Sequence, residues 1–377
     1  MSAHARIVEW DEAGSRRQAP WRSLTGLPPP KRVVPADDRM PADAAFRLAS
    51  EGTALLWRGD FHNARQLLQA MARRIDRNLR TVDPSIAITP EGFHRYRLGQ
   101  AQRARTLGML LLPFDADYRL PLRRAPEAGD ACREAYGPAG DGFVASLREL
   151  QGIIGAHEWR RKGVPVPALD ARIHPHYGVF APVRGEYVEL VAKAPLPGTC
   201  RIAYDIGTGT GVLAALLARR GVDRLVATDC DARALACATE NVRSLGLASR
   251  IEVTQADLFP SGQADLVVCN PPWLPGRAGT PLERAVYDPD SKMLHGFIAG
   301  LRAHLTAGGE GWLILSDLAE HLGLRSRESL LAAFDQAGLR VAGRLDARPT
   351  HPRAADSGDL LHAARSREIT SLWRLQI

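Results

Sequence analysis

Lysine is nearly absent from this chain: four of its 49 basic residues are Lys and the rest are Arg. Paired cysteines are absent too. Cys132, Cys200, Cys230, Cys237 and Cys269 show no C-x-x-C spacing, which argues against a disulfide framework or a structural zinc and for a reducing cytoplasm. Cys200, Cys230 and Cys269 fall in or beside apolar runs, where a free thiol acts as a small hydrophobe. No apolar run approaches the roughly 20 residues that cross a bilayer. Met1–Arg6 has no apolar signal core. The expectation is a cytoplasmic protein without membrane contact.

What is present is an ordinary globular composition, 45% hydrophobic and 24% charged over 377 residues, long enough for two domains. The net charge of +7 is uneven. Residues 1–170 hold 26 Lys and Arg against 20 Asp and Glu, whereas residues 171–377 hold 23 against 22. Arg73, Arg74, Arg77 and Arg80, then Arg95, Arg97, Arg103 and Arg105, concentrate the excess. Such a cluster offers contact to nucleic acid, or is a solvated surface in a protein whose usual cation is arginine.

Residues 1–40, rich in Pro and charge, read as an extended arm. Helical spacing begins at Ala42, with Phe46, Ala49, Leu55 and Leu56 apolar, and Asp60 is placed to cap a second helix. Further helices are expected over Gly92–Leu112 and Phe143–Trp159, with a loop over 121–142 between them. Residues 41–170 therefore read as a mainly helical substrate-recognition or lid domain. From Ala171 strands and helices alternate, the mark of a parallel sheet. The expected strands are Arg201–Ile206, Arg224–Thr228, Arg250–Thr254, Ala264–Cys269, Gly311–Leu315, Leu339–Leu345 and Ile369–Leu375. Helices are expected over Gly211–Arg220, Ala232–Leu245, Ser291–Leu305 and Arg327–Gln336, and a loop over 346–367.

Asp205-Ile206-Gly207-Thr208-Gly209-Thr210-Gly211 joins strand one to its helix. Glycine lets a backbone turn tightly and approach a ligand that a Cβ would block. The spacing is G-x-G-x-G, not the G-x-G-x-x-G of dinucleotide sites, and no cation for a phosphate lies in the loop. It resembles motif I of class I S-adenosylmethionine (SAM) methyltransferases. Asp229 ends strand two and is placed to accept from ribose hydroxyls. Asp257, beside Leu258 after strand three, is placed to accept from an adenine amino group. Any one acid alone is more simply a cap or a solvated carboxylate; Asp231, for example, reads as the N-cap of the next helix. Three acids at successive strand ends with a glycine loop form a cofactor site.

Strand four delivers Asn270-Pro271-Pro272-Trp273 where an open α/β sheet binds ligands. An amide or exocyclic nitrogen has its lone pair delocalised, and methyl transfer needs that pair aimed at the donor. The Asn270 side-chain oxygen and the Pro271 carbonyl can accept both N–H hydrogens, more strongly as positive charge develops. The prolines stiffen the loop and Trp273 offers a stacking face. A Pro-rich turn capped by a buried Trp is the plain alternative. His174 and His176 flank Pro175 without further ligands nearby and read as loop histidines; no metal is expected.

These motifs resemble the class I methyltransferases with an (Asn/Asp)-Pro-Pro-aromatic signature. That group includes release-factor and ribosomal-protein glutamine methyltransferases, adenine N6-methyltransferases and some rRNA guanine N2-methyltransferases. The resemblance covers about residues 176–345. It implies a Rossmann-like α/β domain over 171–377, seven-stranded and mostly parallel with an antiparallel last strand. Tyr177–Glu186 is similar to the segment covering the SAM pocket in the glutamine enzymes, which implies Phe180 and Pro182 as lid residues; core packing is the alternative for Phe180. Trp273 stands where those enzymes usually carry Tyr, which leaves it stacking and shape. The resemblance implies SAM as cofactor and a protein glutamine in a translation component as acceptor. A base amino group in rRNA, tRNA or DNA, a small-molecule acceptor, and a non-catalytic SAM-fold module are the other readings. The basic N-terminal half favours the nucleic acid.

Overall fold

The computed structural model describes residues 6–79, 88–183, 185–350 and 359–377. Arg80, Arg184 and part of the 346–367 loop lie outside the described residues. Two compact units emerge, Met1–Asp83 with His94–Glu158, and Pro84–Phe93 with Trp159–Ile377. The expected boundary near 170 thus moves to 158.

The first 40 residues are not an extended arm. Ile7–Glu12 and Ser15–Pro20 form an antiparallel hairpin, turned by Ala13 and Gly14 at φ 52° and 76°, the left-handed pair that a two-residue hairpin turn requires. Arg32–Ala36 is the edge of a four-stranded sheet, followed in space by Thr53–Trp57, Leu110–Phe114 and Phe143–Ser146. Helices still dominate this unit by length, but they surround a sheet. Leu55 and Leu56 belong to a buried strand, not to the helix Ala42–Ser50. The helix expected over 92–112 ends at Gly108, and the one expected from Phe143 starts at Leu147. A short helix, Gly129–Tyr136, interrupts the loop expected over 121–142. Thr53–Trp57, Leu110–Phe114 and Phe143–Ser146 are short apolar runs of the kind that fits either element, and they form strands buried on both faces.

In the second unit we number the main-sheet strands β1 (Ile202–Ile206), β2 (Arg224–Asp229), β3 (Ile251–Gln255), β4 (Ala264–Cys269), β5 (Leu305–Ser316), β6 (Arg340–Ala347) and β7 (Thr370–Gln376). Their order in space is β3-β2-β1-β4-β5-β7-β6. β3 to β5 are parallel and β7 runs antiparallel to both neighbours. Alternation along the strands feeds two cores. Ala203, Leu266, Val268, Trp312 and Ile314 face one, packed by α1 (Glu186–Lys193) and α2 (Val212–Arg219). Tyr204, Ile206, Val267, Leu313 and Leu315 face the other, packed by α4 (Lys292–Leu301) and α5 (Arg327–Gln336). α3 (Ala232–Ser244) follows β2. From β1 the chain steps outward to β2 and β3, then returns to the other side of β1 as β4. That reversal opens a crevice at the carboxyl ends of β1 and β4.

Cys269 is buried, but Cys230 is exposed rather than a core thiol. No described helix is long and apolar enough to cross a membrane. The short helix His362–Arg365 interrupts the loop expected over 346–367.

Candidate functional site

Gly207, Gly209 and Gly211 have φ of 70°, 56° and 80°, the left-handed region that glycine alone enters cheaply. Their environments differ. A Cβ on Gly207 would lie 2.5 Å from Met293 Cε, and one on Gly211 3.3 Å from Ala238. A Cβ on Gly209 would meet nothing within 4 Å. Gly207 and Gly211 therefore pack the loop against α4 and α3, and Gly209 borders open space.

Asp205 holds this loop from below. It is 1% exposed, and its Oδ2 accepts from the Thr208 hydroxyl at 2.6 Å and from the Ala214 N–H at 3.0 Å. Burial pushes its carboxyl up to about 6, against those two hydrogen bonds, and Asp229 adds to the rise. Asp205 thus shapes the loop through Oδ2. The Thr208 N–H donates to the Thr228 carbonyl at 2.8 Å and ties the loop to β2.

A carboxyl raised from about 3.8 to about 6 favours the folded state when protonated. This contribution is fully present below pH 4 and is lost as pH rises through 6, a change of about 3 kcal/mol. Asp205→Asn lacks this titration. Urea midpoints measured from pH 4 to pH 8 are expected to rise for the variant relative to the parent across that window; parallel curves would refute the assignment.

Asp229, half-buried, receives the Gly209 N–H on Oδ2 at 3.1 Å and the Asp231 N–H on Oδ1 at 2.9 Å. Burial raises its carboxyl and these donors oppose the rise. Asp231 caps α3 by accepting from the Arg233 N–H at 2.9 Å. Asp257 is exposed beyond β3. Next to it, Leu258 has φ 74°, strained for a non-glycine residue, and its carbonyl accepts from the Thr228 hydroxyl at 2.6 Å. The loops after β1, β2 and β3 are thus bonded into one rim.

Across the crevice, the Trp273 indole N–H donates to Asn270 Oδ1 at 2.9 Å. Pro271 is buried, Pro272 and Asn270 half-buried. Trp273 packs against both apolar cores. Its role is therefore more than stacking and shape: it fixes the Asn270 amide, which keeps one oxygen lone pair to spare. The chain then pairs Leu274–Pro275 with Tyr287–Asp288. Asp288, buried, accepts on Oδ2 from the N–H groups of Met293 and Leu294, at 2.9 and 3.1 Å, and caps α4. Asp288 and Met293 were not legible beforehand; an acid just before an apolar helix was the available signal. Tyr187 was also missed. It is buried at the start of α1 in the same core as Val212 and Leu213 of α2, and burial, then Asp205 and Glu186, drive its phenol well up.

Phe180 is half-buried. Pro182 is buried and lines a separate groove of about 350 Å³ with Trp159, Val166 and Val188, in which no glycine-loop residue takes part. His176 Nε2 meets Glu240 at 2.8 Å and His174 Nδ1 meets the Arg160 carbonyl at 2.6 Å. Among the described residues no cluster is arranged to hold a metal ion.

Residues 172–338 match the family model described as methyltransferase small domain. The chain is 34% identical over 181 residues to a release factor glutamine methyltransferase of Cereibacter sphaeroides, covering 42% of this chain and 65% of that protein. It is 30% identical over 232 residues to a release factor glutamine methyltransferase of Moorella thermoacetica, covering 59% and 79%. It is 33% identical over 117 residues to a tRNA1(Val) (adenine(37)-N6)-methyltransferase of Pedobacter heparinus, covering 29% and 50%. With the glycine loop, the strand-end acids and Asn270–Trp273 set around one crevice, the chain belongs to the methyltransferase small-domain family of SAM-dependent methyltransferases.

Proposed function

We propose that this chain transfers a methyl group from SAM to the side-chain amide nitrogen of a glutamine in a translation protein. The observation that carries the reading is the Trp273–Asn270 hydrogen bond at the carboxyl end of β4, beside the glycine loop. The cradle fits SAM: Gly209 borders open space, Asp229 and Asp257 are accessible at the next two strand ends, and the loop has no cation because SAM has no phosphate. Asp229 would take the ribose hydroxyls, Asp257 the adenine amino group. SAM, when bound, supplies an electrophilic methyl group.

The protein's own contribution is positional. The free lone pair of Asn270 Oδ1 and the Pro271 carbonyl receive the two N–H hydrogens of the acceptor. Both hydrogen bonds strengthen as charge grows on nitrogen, so they favour the transition state over the ground state. The rigid Pro-Pro step holds both acceptors in place, and fixed orientation supplies much of the remaining acceleration. No general base is needed, because the proton becomes acidic only after the methyl group is in place.

A second reading, a base amino group in RNA, is favoured by the arginine excess of the first unit. Labelled SAM incubated with the protein and a cell lysate, followed by protease or RNase digestion, separates the two. Protease-sensitive label is expected. Label released by RNase alone would replace the glutamine reading with the RNA one.

A further inference from the structure

The helix Phe61–Leu79 is two-sided. Ala64, Leu67, Leu68 and Met71 are buried against the first unit's core. His62, Arg65, Gln66, Gln69, Arg73 and Arg77 are all exposed on the opposite side. Arg65, Gln69, Arg73 and Arg77 recur every fourth residue, about 6 Å apart along the axis, over about 18 Å. The charge pairing in this unit is selective. Arg74 meets Asp43, Arg103 meets Asp76, Arg124 meets Asp60 and Arg133 meets Asp130. Arg65, Arg73 and Arg77 form no ion pair among the described residues.

The helix has one acid, Asp76. Arg103 occupies both its oxygens, at 2.7 and 3.2 Å. That fork also fastens the helix to its neighbour, Pro90–Gly108, which adds exposed Arg95 and Arg105. Neutralising the acid from the adjacent helix leaves a rigid face whose charge is positive and unspent. Arginine suits phosphate because its planar fork makes paired hydrogen bonds, and interleaved glutamines add uncharged donors.

We infer that this face is an RNA-docking surface, on which Arg65, Arg73 and Arg77 engage phosphates of the backbone, with Gln69 between the first two. It extends beyond the proposed methyl transfer and does not depend on it: a protein acceptor presented on a ribonucleoprotein needs such a surface as much as an RNA acceptor does. The contacts are to phosphate, so they position the enzyme and read no sequence.

The test is the binding of the full-length protein, without SAM, to a fluorescein-labelled RNA hairpin across a salt series. Each phosphate contact contributes about −0.7 to −0.9 to the slope of log K against log salt. Arg65→Gln/Arg73→Gln/Arg77→Gln is therefore expected to make the slope shallower by about two to three, with unchanged circular dichroism and melting. The control Arg201→Gln/Arg224→Gln/Arg340→Gln removes the same charge from exposed positions of the second unit and should leave the slope unchanged. Equal effects of the two triples would reduce the finding to net charge and overturn the proposal. So would binding to phosphatidylserine vesicles with none to the hairpin. Because SAM takes no part, loss of methyl transfer with RNA binding intact would count only against the catalytic reading.

Discussion

Asn270→Ala is expected to lower methyl transfer by roughly 10²–10³, the usual loss when one transition-state hydrogen bond is removed. Donor binding, measured by calorimetry, should change little, because among the described residues the side-chain hydrogen bond of Asn270 is to Trp273 and not to the glycine loop or a strand-end acid. The structure adds a second, graded variant. Trp273→Phe keeps an aromatic face but removes the N–H that holds Asn270 Oδ1 at 2.9 Å. A neutral hydrogen bond of about 1–1.4 kcal/mol predicts a loss of about 5- to 10-fold, in kcat more than in KM. If Trp273→Phe matches the parent while Asn270→Ala is inactive, the indole only fills space. If Asn270→Ala turns over normally, the acceptor site lies elsewhere.

Glu310→Ala is expected to cost about 3–5 kcal/mol of stability, the range for breaking one side of a buried ion pair. Glu310 lies on β5 with 2% of its side chain exposed, and Arg374 on β7 with 21%. Arg374 donates to both Glu310 oxygens at 2.6 and 2.8 Å, while Trp312 Nε1 and Gln376 Nε2 donate at 3.0 Å each. Trp312 and Arg374 are direct partners across the antiparallel pair. The carboxylate thus satisfies four donors where the sheet changes from parallel to antiparallel. Removing it leaves a guanidinium and an indole N–H without their acceptor, and Arg374's partial exposure puts the cost toward the lower end. Glu310→Leu/Arg374→Met, which removes both charges, should recover most of the loss in urea midpoints. A single-variant cost below about 1 kcal/mol would mean that water replaces the carboxylate.

Much of the catalytic unit was legible because its signals are local. The strands of the main sheet followed from apolar runs, and the caps Asp60 and Asp231 from residue type just before a helix. The first unit was harder for the same reason in reverse: Thr53–Trp57 and Phe143–Ser146 are short apolar runs beside helices, and only their burial in a sheet decides that they are strands. Asp205 shows the same limit inside the site. Its place before the glycines gives no sign that Thr208 and Ala214 donate to its Oδ2.

By itself, the sequence determined where the glycine loop, the strand-end acids and the Asn-Pro-Pro-Trp turn fall, the groups proposed to hold donor and acceptor, since backbone freedom, capping and strand-end position depend on neighbours in the chain. Tertiary structure alone decided which of these groups remain available. It bonded Asp205 Oδ2 to the loop, set Pro182 along a groove, joined Trp273 to Asn270, and divided the arginines of the described residues into paired and unpaired. The physical reason is that hydrogen-bond and ion-pair partners are allotted by proximity in space, which no local pattern encodes.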